Sequence, residues 1–220
     1  KKKRGEMINA TPVFSARVDT IVYNPYWTVP KRIYEEELLV QAEKFEAEQL
    51  ALQADRDASE SGAPIPTYWE ARGYEVFGEG RADGEVWVRR KPGPGNALGK
   101  VKFLFENRWF VFLHDTPQKS KFRPPRRAFS HGCIRVSEPL ALAELLLRRD
   151  GLWEAVKEAR VMRHYREKTF RLRTPVWLVV DYLTVRVDDD GRAHFYGDVY
   201  RKDRLALGRL KTQHPVPVGQ

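Results

Sequence analysis

From Ile33 to Arg56 the chain contains neither glycine nor proline, whereas the segments on both sides are short apolar runs broken by turn residues. Tyr34, Leu38, Ala42, Phe45 and Leu52 keep a near-helical spacing that polar Gln49 interrupts. Glu35, Glu36 and Glu37 crowd the start, where the positive end of a helix favours acids. A helix of roughly six turns is therefore expected. The Ser-, Gly- and Pro-rich stretch from Asp57 to Pro66 reads as a loop, after which Thr67 can cap a short helix from Tyr68 to Arg72, stopped by Gly73. Strand signals flank this helical excursion: residues 11 to 23, closed by Asn24-Pro25, before it, and 74–77, 85–89 and 101–105 after it. The last of these pairs naturally with 109–114 across a turn at Glu106-Asn107-Arg108. Helices between two strand regions are most simply an insertion on a β scaffold, so a mainly β fold with helices is expected.

Further along, Ser137-Glu138-Pro139 predicts a helix start with Ser137 as N-cap and proline early. Leu140, Ala143, Leu146 and Leu147 form its apolar face and Gly151 ends it. A second helix over roughly 152–160 follows, and 170–173, 176–187 and 193–200 read as three closing strands, the last two joined through Asp188-Asp189-Asp190-Gly191. The tail beyond Arg204 is expected to be loose. With 220 residues, 42% of them apolar, one domain with an insertion can bury a real core. No apolar run approaches membrane-span length, so stable insertion of this segment is not expected. Lys1-Lys2-Lys3-Arg4 with no apolar signal segment after it reads as a mature or truncated start. The net charge of +9 suits an acidic partner: nucleic acid, an anionic membrane or a carboxylate-rich polymer. Pro92 to Lys100 is glycine-rich but is not a phosphate loop, because Pro94 stands at the first glycine and Val101 at the magnesium-binding Ser or Thr.

Cys133 is the only cysteine. It lies within Ser130-His131-Gly132-Cys133-Ile134-Arg135-Val136. A lone cysteine is by default a small core residue, but these neighbours change the reading. Gly132 permits a tight turn in which backbone N–H groups converge beside the sulfur as oxyanion donors. His114 ends the apolar run Trp109 to Leu113 and is followed by Asp115-Thr116-Pro117, the layout of an imidazole brought to a thiol from a separate strand. Asp115 is poorly placed to orient His114 if the strand persists, since successive side chains point to opposite faces. A backbone carbonyl is the better partner. His131 competes as base; His114 is preferred because bases usually come from a different element. Arg135 and Arg127 bracket the thiol and can hold a substrate carboxylate with a two-pronged donor set, whereas Arg123 and Arg126 read as solvated charge.

His114-Asp115-Thr116-Pro117 followed by the Ser-His-Gly-Cys-Ile-Arg-Val segment resembles the catalytic signature of the L,D-transpeptidase (YkuD-like) domain. Asn24-Pro25-Tyr26-Trp27-Thr28-Val29-Pro30 and Pro92-Gly93-Pro94-Gly95-Asn96-Ala97-Leu98-Gly99 resemble upstream blocks of the subgroup with a large inserted capping segment. The resemblance implies a β-sandwich with an α-helical insertion: a catalytic domain over 9–200, a helical cap over 31–73 within it, and a tail over 201–220. It implies an extracytoplasmic, periplasmic enzyme acting on peptidoglycan stem peptides without cofactor or metal. Cys133 attacks a tetrapeptide stem, releases D-alanine and passes the acyl group to a stem amine; His114 serves as base and Gly132 contributes to the oxyanion site. Ser130, His131, Arg127, Arg135 and Asn96 are the candidate substrate-binding residues, although Asn96 reads equally as a turn residue. Carbapenem β-lactams are expected as covalent inhibitors. The same acyl-enzyme also admits L,D-carboxypeptidase, D-amino-acid exchange and lipoprotein-attachment chemistry. Two rivals come from other classes. A zinc site of His114, His131 and Cys133 lacks paired ligand spacing and a fourth group. A basic nucleic-acid-binding module would rest on the net charge and Arg123 to Arg127, and no nucleic-acid partner is expected.

Overall fold

The structure, a computed structural model, describes residues 10–54, 66–78, 85–130, 132–204 and 207–208. His131, the basic start Lys1 to Arg4, most of the loop expected over 57–66 and the end of the tail lie outside the described residues. The fold is mixed and mostly sheet, with a few helices.

Its centre is a five-stranded sheet in the order β7-β6-β5-β1-β8. β1 (Phe14–Tyr23) pairs antiparallel with β5 (Val101–Phe105) on one side and with β8 (Lys168–Val180) on the other. In β5 burial alternates residue by residue, with Val101, Phe103 and Phe105 inward, as a one-sided apolar strand requires. That inner face packs with Ala143, Leu146 and Leu147 of helix α4 (Pro139–Arg149) and Val156 of α5 (Trp153–Glu158) into the main core. α4 begins with proline at its first position, as expected, but Glu138 rather than Ser137 is the N-cap and no side chain caps it. The Ser137 carbonyl instead accepts from Lys119 Nζ at 2.8 Å, so Ser137 belongs to the loop that approaches the cysteine segment.

The closing strands differ from expectation in an informative way. Residues 168–180 form a single strand, but its pairing with β1 slips between Val18 and Thr20, where Val18 faces Val176 and Thr20 faces Arg171. The predicted break at Thr174-Pro175 is therefore a bulge, which tolerates a proline without an N–H. Its freed N–H groups do not go unpaired: Asp150, the C-cap of α4, accepts from the N–H of Arg173 and, at 3.0 Å, from that of Thr174. β9 (Val185–Val187) and β10 (Ala193–Phe195) form the expected hairpin, with β10 shorter than predicted.

The long helix is observed as α1 (Lys31–Ile33), a π-helical turn (Tyr34–Leu38) and α2 (Leu39–Ala54) in succession. The short helix α3 (Tyr68–Ala71) carries the predicted Thr67 cap, completed as a capping box by Glu70. Among the described residues these helices do not pack broadly on the five-stranded sheet. Leu38, Ala42 and Tyr68 join Val29, Tyr74 and Val88 in a second core, under a three-stranded sheet ordered β2-β4-β3. Its strands are β2 (Trp27–Thr28), β3 (Tyr74–Phe77) and β4 (Trp87–Arg90). The strands β2, β3 and β4 thus share one core with these helices.

Candidate active site

The site is assembled at the edge of the main sheet by two very short strands. β6 (Leu113–His114) pairs antiparallel with β5, and β7 (Ile134–Arg135) pairs parallel with β6, Leu113 opposite Ile134 and His114 opposite Arg135. Ile134 N–H donates to the Phe112 carbonyl at 3.1 Å and Val136 N–H to the His114 carbonyl at 2.9 Å. Register puts His114 and Arg135 on the same face, and Cys133, two residues before Arg135, emerges on that side as well. The thiol and the imidazole thus come from separate strands held side by side by main-chain hydrogen bonds.

His114 is buried, 4% exposed, and its Nδ1 bonds the backbone carbonyl of Asp115. A carbonyl only accepts, so Nδ1 carries the proton and Nε2 is the free basic nitrogen. The Asp115 carboxylate points elsewhere. It accepts from Lys100 N–H at 2.8 Å, Thr116 N–H at 2.7 Å and Lys119 Nζ at 2.7 Å, and it lies so close to Gly99 that a Cβ there would meet it at 2.4 Å. Asp115 is therefore a brace that ties the loop before β5 to the segment after β6. Burial lowers the His114 pKa to about 4; the Asp115 carbonyl opposes this and the Arg135 charge adds to it. Burial also pushes the Cys133 thiol up, against a backbone hydrogen bond at Phe112 and the Arg135 charge, which pull it down. At neutral pH the pair is a thiol beside a neutral imidazole.

Gly132 has φ +119, a conformation that only glycine adopts without strain. Its carbonyl accepts from Thr11 Oγ1 at 3.0 Å and its N–H donates to Ser130 Oγ at 3.3 Å, so one expected oxyanion donor is held by Ser130. Arg135 Nε is buried with no hydrogen-bond partner among the described residues.

Cys133 opens onto two cavities. One, of 340 Å³, is lined by His114, Cys133, Ser130, Arg135 and Arg32 together with mainly apolar side chains, among them Trp27, Ile33, Leu98, Trp109, Phe110 and Phe112. The other, of 280 Å³, shares Ser130, Cys133 and Arg135 but adds Lys121, Arg127 and Tyr200. Ser130, Arg127 and Arg135 therefore lie in cavities that reach the thiol. Asn96 does not. It is fully buried, its amide donating to the carbonyls of Pro25 and Lys91 at 2.9 and 3.1 Å while its Oδ1 accepts from Leu98 N–H at 2.8 Å. Expected at the substrate, it instead pins the loop that presents Leu98 to the cavity, since the side chain is fully buried and both its N–H donors are spent on backbone carbonyls.

Reading the residues alone missed Thr11, Phe112, Lys119, Lys121 and Tyr200. Phe112 had a signal, since it stands two before His114 on the same run and so on the same side. Lys119 and Lys121 lie between the two motifs, where nothing in their own pattern marked them, and Thr11 and Tyr200 reach the site from distant segments. The expected strand over 109–114 shrinks to its last two residues because Asn107 folds the preceding loop: its amide donates to the carbonyls of Phe105 and Val111, and its Oδ1 accepts from Trp109 and Val111 N–H. Phe110, at φ +54 and 88% exposed, is thereby turned out at the cavity mouth.

This arrangement, a thiol and a base on adjoining strands at the edge of a mixed, mostly β fold, is accompanied by a family match over residues 3–178: the chain belongs to the L,D-transpeptidase catalytic domain (YkuD) family. Among curated proteins it is 27% identical over 207 residues to "Putative L,D-transpeptidase" of Haemophilus influenzae, an alignment covering 88% of this chain and 38% of that protein. The chain thus spans well under half the length of that relative. Among the described residues no helix is long and apolar enough to cross a membrane.

Proposed function

We propose that the chain is the catalytic unit of a peptidoglycan L,D-transpeptidase working outside the cytoplasmic membrane, with Cys133 as nucleophile. The observation that carries this reading is the parallel β6–β7 pairing, beside which the sole thiol and a tautomer-locked imidazole line one open cavity. As the sulfur attacks the carbonyl of the third stem residue, its proton passes to His114 Nε2. The same nitrogen then protonates the departing D-alanine amine, leaving a thioester on Cys133. The Cys133 N–H faces the developing oxyanion, and the Gly132 N–H joins it by exchanging its long bond to Ser130. Each such donor contributes about 3 kcal/mol. Arg135, with an unsatisfied donor beside the thiol, is the carboxylate-binding residue of choice. The second core, with the helices of 31–73, forms the cap, since Trp27 and Ile33 supply one wall of the cavity and the main sheet the other.

Intact-mass analysis after incubation with a carbapenem and with a tetrapeptide stem tests the reading. The wild-type protein should gain one adduct on Cys133, Cys133→Ala none, and His114→Ala should acylate about 10²–10⁴-fold more slowly. Muropeptide analysis then separates cross-linking from hydrolysis, D-amino-acid exchange and lipoprotein attachment. Unchanged substrate together with no carbapenem adduct on the wild-type protein would overturn the proposal.

A further inference from the structure

The residues after the family match are not a passive tail. Tyr182 Oη donates to Asp198 Oδ1 at 2.7 Å and accepts from Tyr200 N–H at 3.0 Å. The two rings lie 5.2 Å apart, with Lys202 Nζ over that of Tyr182 at 4.8 Å. Asp198 also accepts from the N–H groups of Lys202 and Asp203 at 2.9 and 3.0 Å. This network fixes the chain where Tyr200 enters the 280 Å³ cavity that ends on Cys133. The family match stops at residue 178, so Tyr200 reaches the site from a segment outside it.

We propose that residues 181–204 form the acceptor-side wall of this site and that Tyr200 is a specificity-determining residue for the attacking amine. The inference rests on Cys133 forming an acyl-enzyme. Once it has formed, the acyl chain occupies one approach to the sulfur, and the nucleophile needs another. Two cavities meeting at Cys133 supply both: Arg135 lines each, but the larger adds only Arg32 among mainly apolar side chains, whereas the smaller adds Lys121 and Arg127. Three cations disfavour a bare ammonium ion and suit an amine whose own molecule carries a carboxylate. They also favour the uncharged amine, the form that attacks. In the transfer step the amine nitrogen bonds to the thioester carbonyl carbon and the carbon–sulfur bond breaks, its electron pair staying on Cys133. The amine proton goes to His114 Nε2 and from there to the sulfur, which restores thiol and neutral imidazole. Tyr200 forms the wall that holds the carboxylate-bearing carbon against the cations.

The test compares acylation with transfer. Wild-type, Tyr200→Ala and Tyr200→Phe proteins, each checked by thermal melt, are acylated by a tetrapeptide donor and offered an amino acid with a side-chain amine, or the diamine lacking its carboxylate. The wild-type protein should prefer the carboxylate-bearing acceptor about tenfold or more. Tyr200→Ala should lose most of that preference through a raised acceptor KM and release more hydrolysed product, a loss several-fold larger than any change in its acylation rate, and Tyr200→Phe, which keeps the ring, should retain most of the preference. Equal slowing of acylation and transfer in Tyr200→Ala, or a wild-type protein indifferent to the carboxylate, overturns the acceptor assignment while leaving the nucleophile in place. A wild-type protein that forms no adduct with any donor overturns the enzyme reading itself.

Discussion

His114 and Cys133 are brought together in their uncharged forms, and this has two measurable consequences. A thiol pushed above its ordinary value near 9 by burial is not pre-ionised, so its proton must move as the sulfur attacks. Alkylation of Cys133 by iodoacetamide should keep rising beyond pH 9 with no plateau near neutrality; a plateau below pH 7 would mean a thiolate–imidazolium pair and contradict this account. The second consequence concerns stability. His114 has a folded pKa of about 4 against an ordinary 6.5, so between these values the unfolded chain binds more protons. The stabilisation from the neutral ring is therefore complete above pH 6.5 and is lost as pH falls toward 4, by at most about 3 kcal/mol. Urea unfolding at pH 7 and pH 4.5 should show a larger loss in the wild-type protein than in His114→Gln, which has no imidazole to charge.

Turns and bulges held by single polar side chains place the functional groups. Gly99, at φ +61, lies against the Asp115 carboxylate, and that carboxylate serves three donors around the imidazole. Gly99→Ala combines a left-handed backbone with a direct clash and should cost at least about 2 kcal/mol. In a chain of this length that is a fall of roughly 4–8 °C in Tm, and acylation should slow with it because His114 loses its support. Asp150 works in the same way at the β8 bulge. Its removal would leave the N–H groups of Arg173 and Thr174 unsatisfied, a penalty of about 1–3 kcal/mol for each donor that stays buried.

For the whole molecule, the decisive fact is that the described residues form two cores rather than one. Among the described residues no element of one packs broadly on an element of the other. The Asn96 amide ties the carbonyls of Pro25 and Lys91, which flank β2 and β4 of the smaller sheet, to the loop before β5, and the larger cavity is lined from both sides, by Trp27 and Ile33 and by His114 and Arg135. Val88, fully buried in the smaller core, tests this partition. Val88→Ala should speed hydrogen exchange in residues 27–54, 68–78 and 85–90, leave β1, β5 and β8 protected, and slow donor acylation; uniform loss of protection would mean one cooperative unit.

Local chemistry alone determined a good part of this protein. The strands 74–77 and 101–105, the Thr67 cap and the proline start of α4 depend on neighbours within a few residues, so alternation and capping patterns were enough to reveal them. The likeness around Cys133 and His114 was legible for the same reason, since the residues of each motif are contiguous. What the chain order hides is everything that depends on which segments meet. Only the tertiary structure decided that β8 runs through its proline as a bulge because Asp150 receives the freed N–H groups. It alone turned Asn96 into a loop brace, gave the helical stretch its own sheet, and brought Thr11 and Tyr200 to the cysteine turn from near opposite ends of the chain. Hydrogen-bond satisfaction and burial are settled by long-range contacts, and no local pattern carries them.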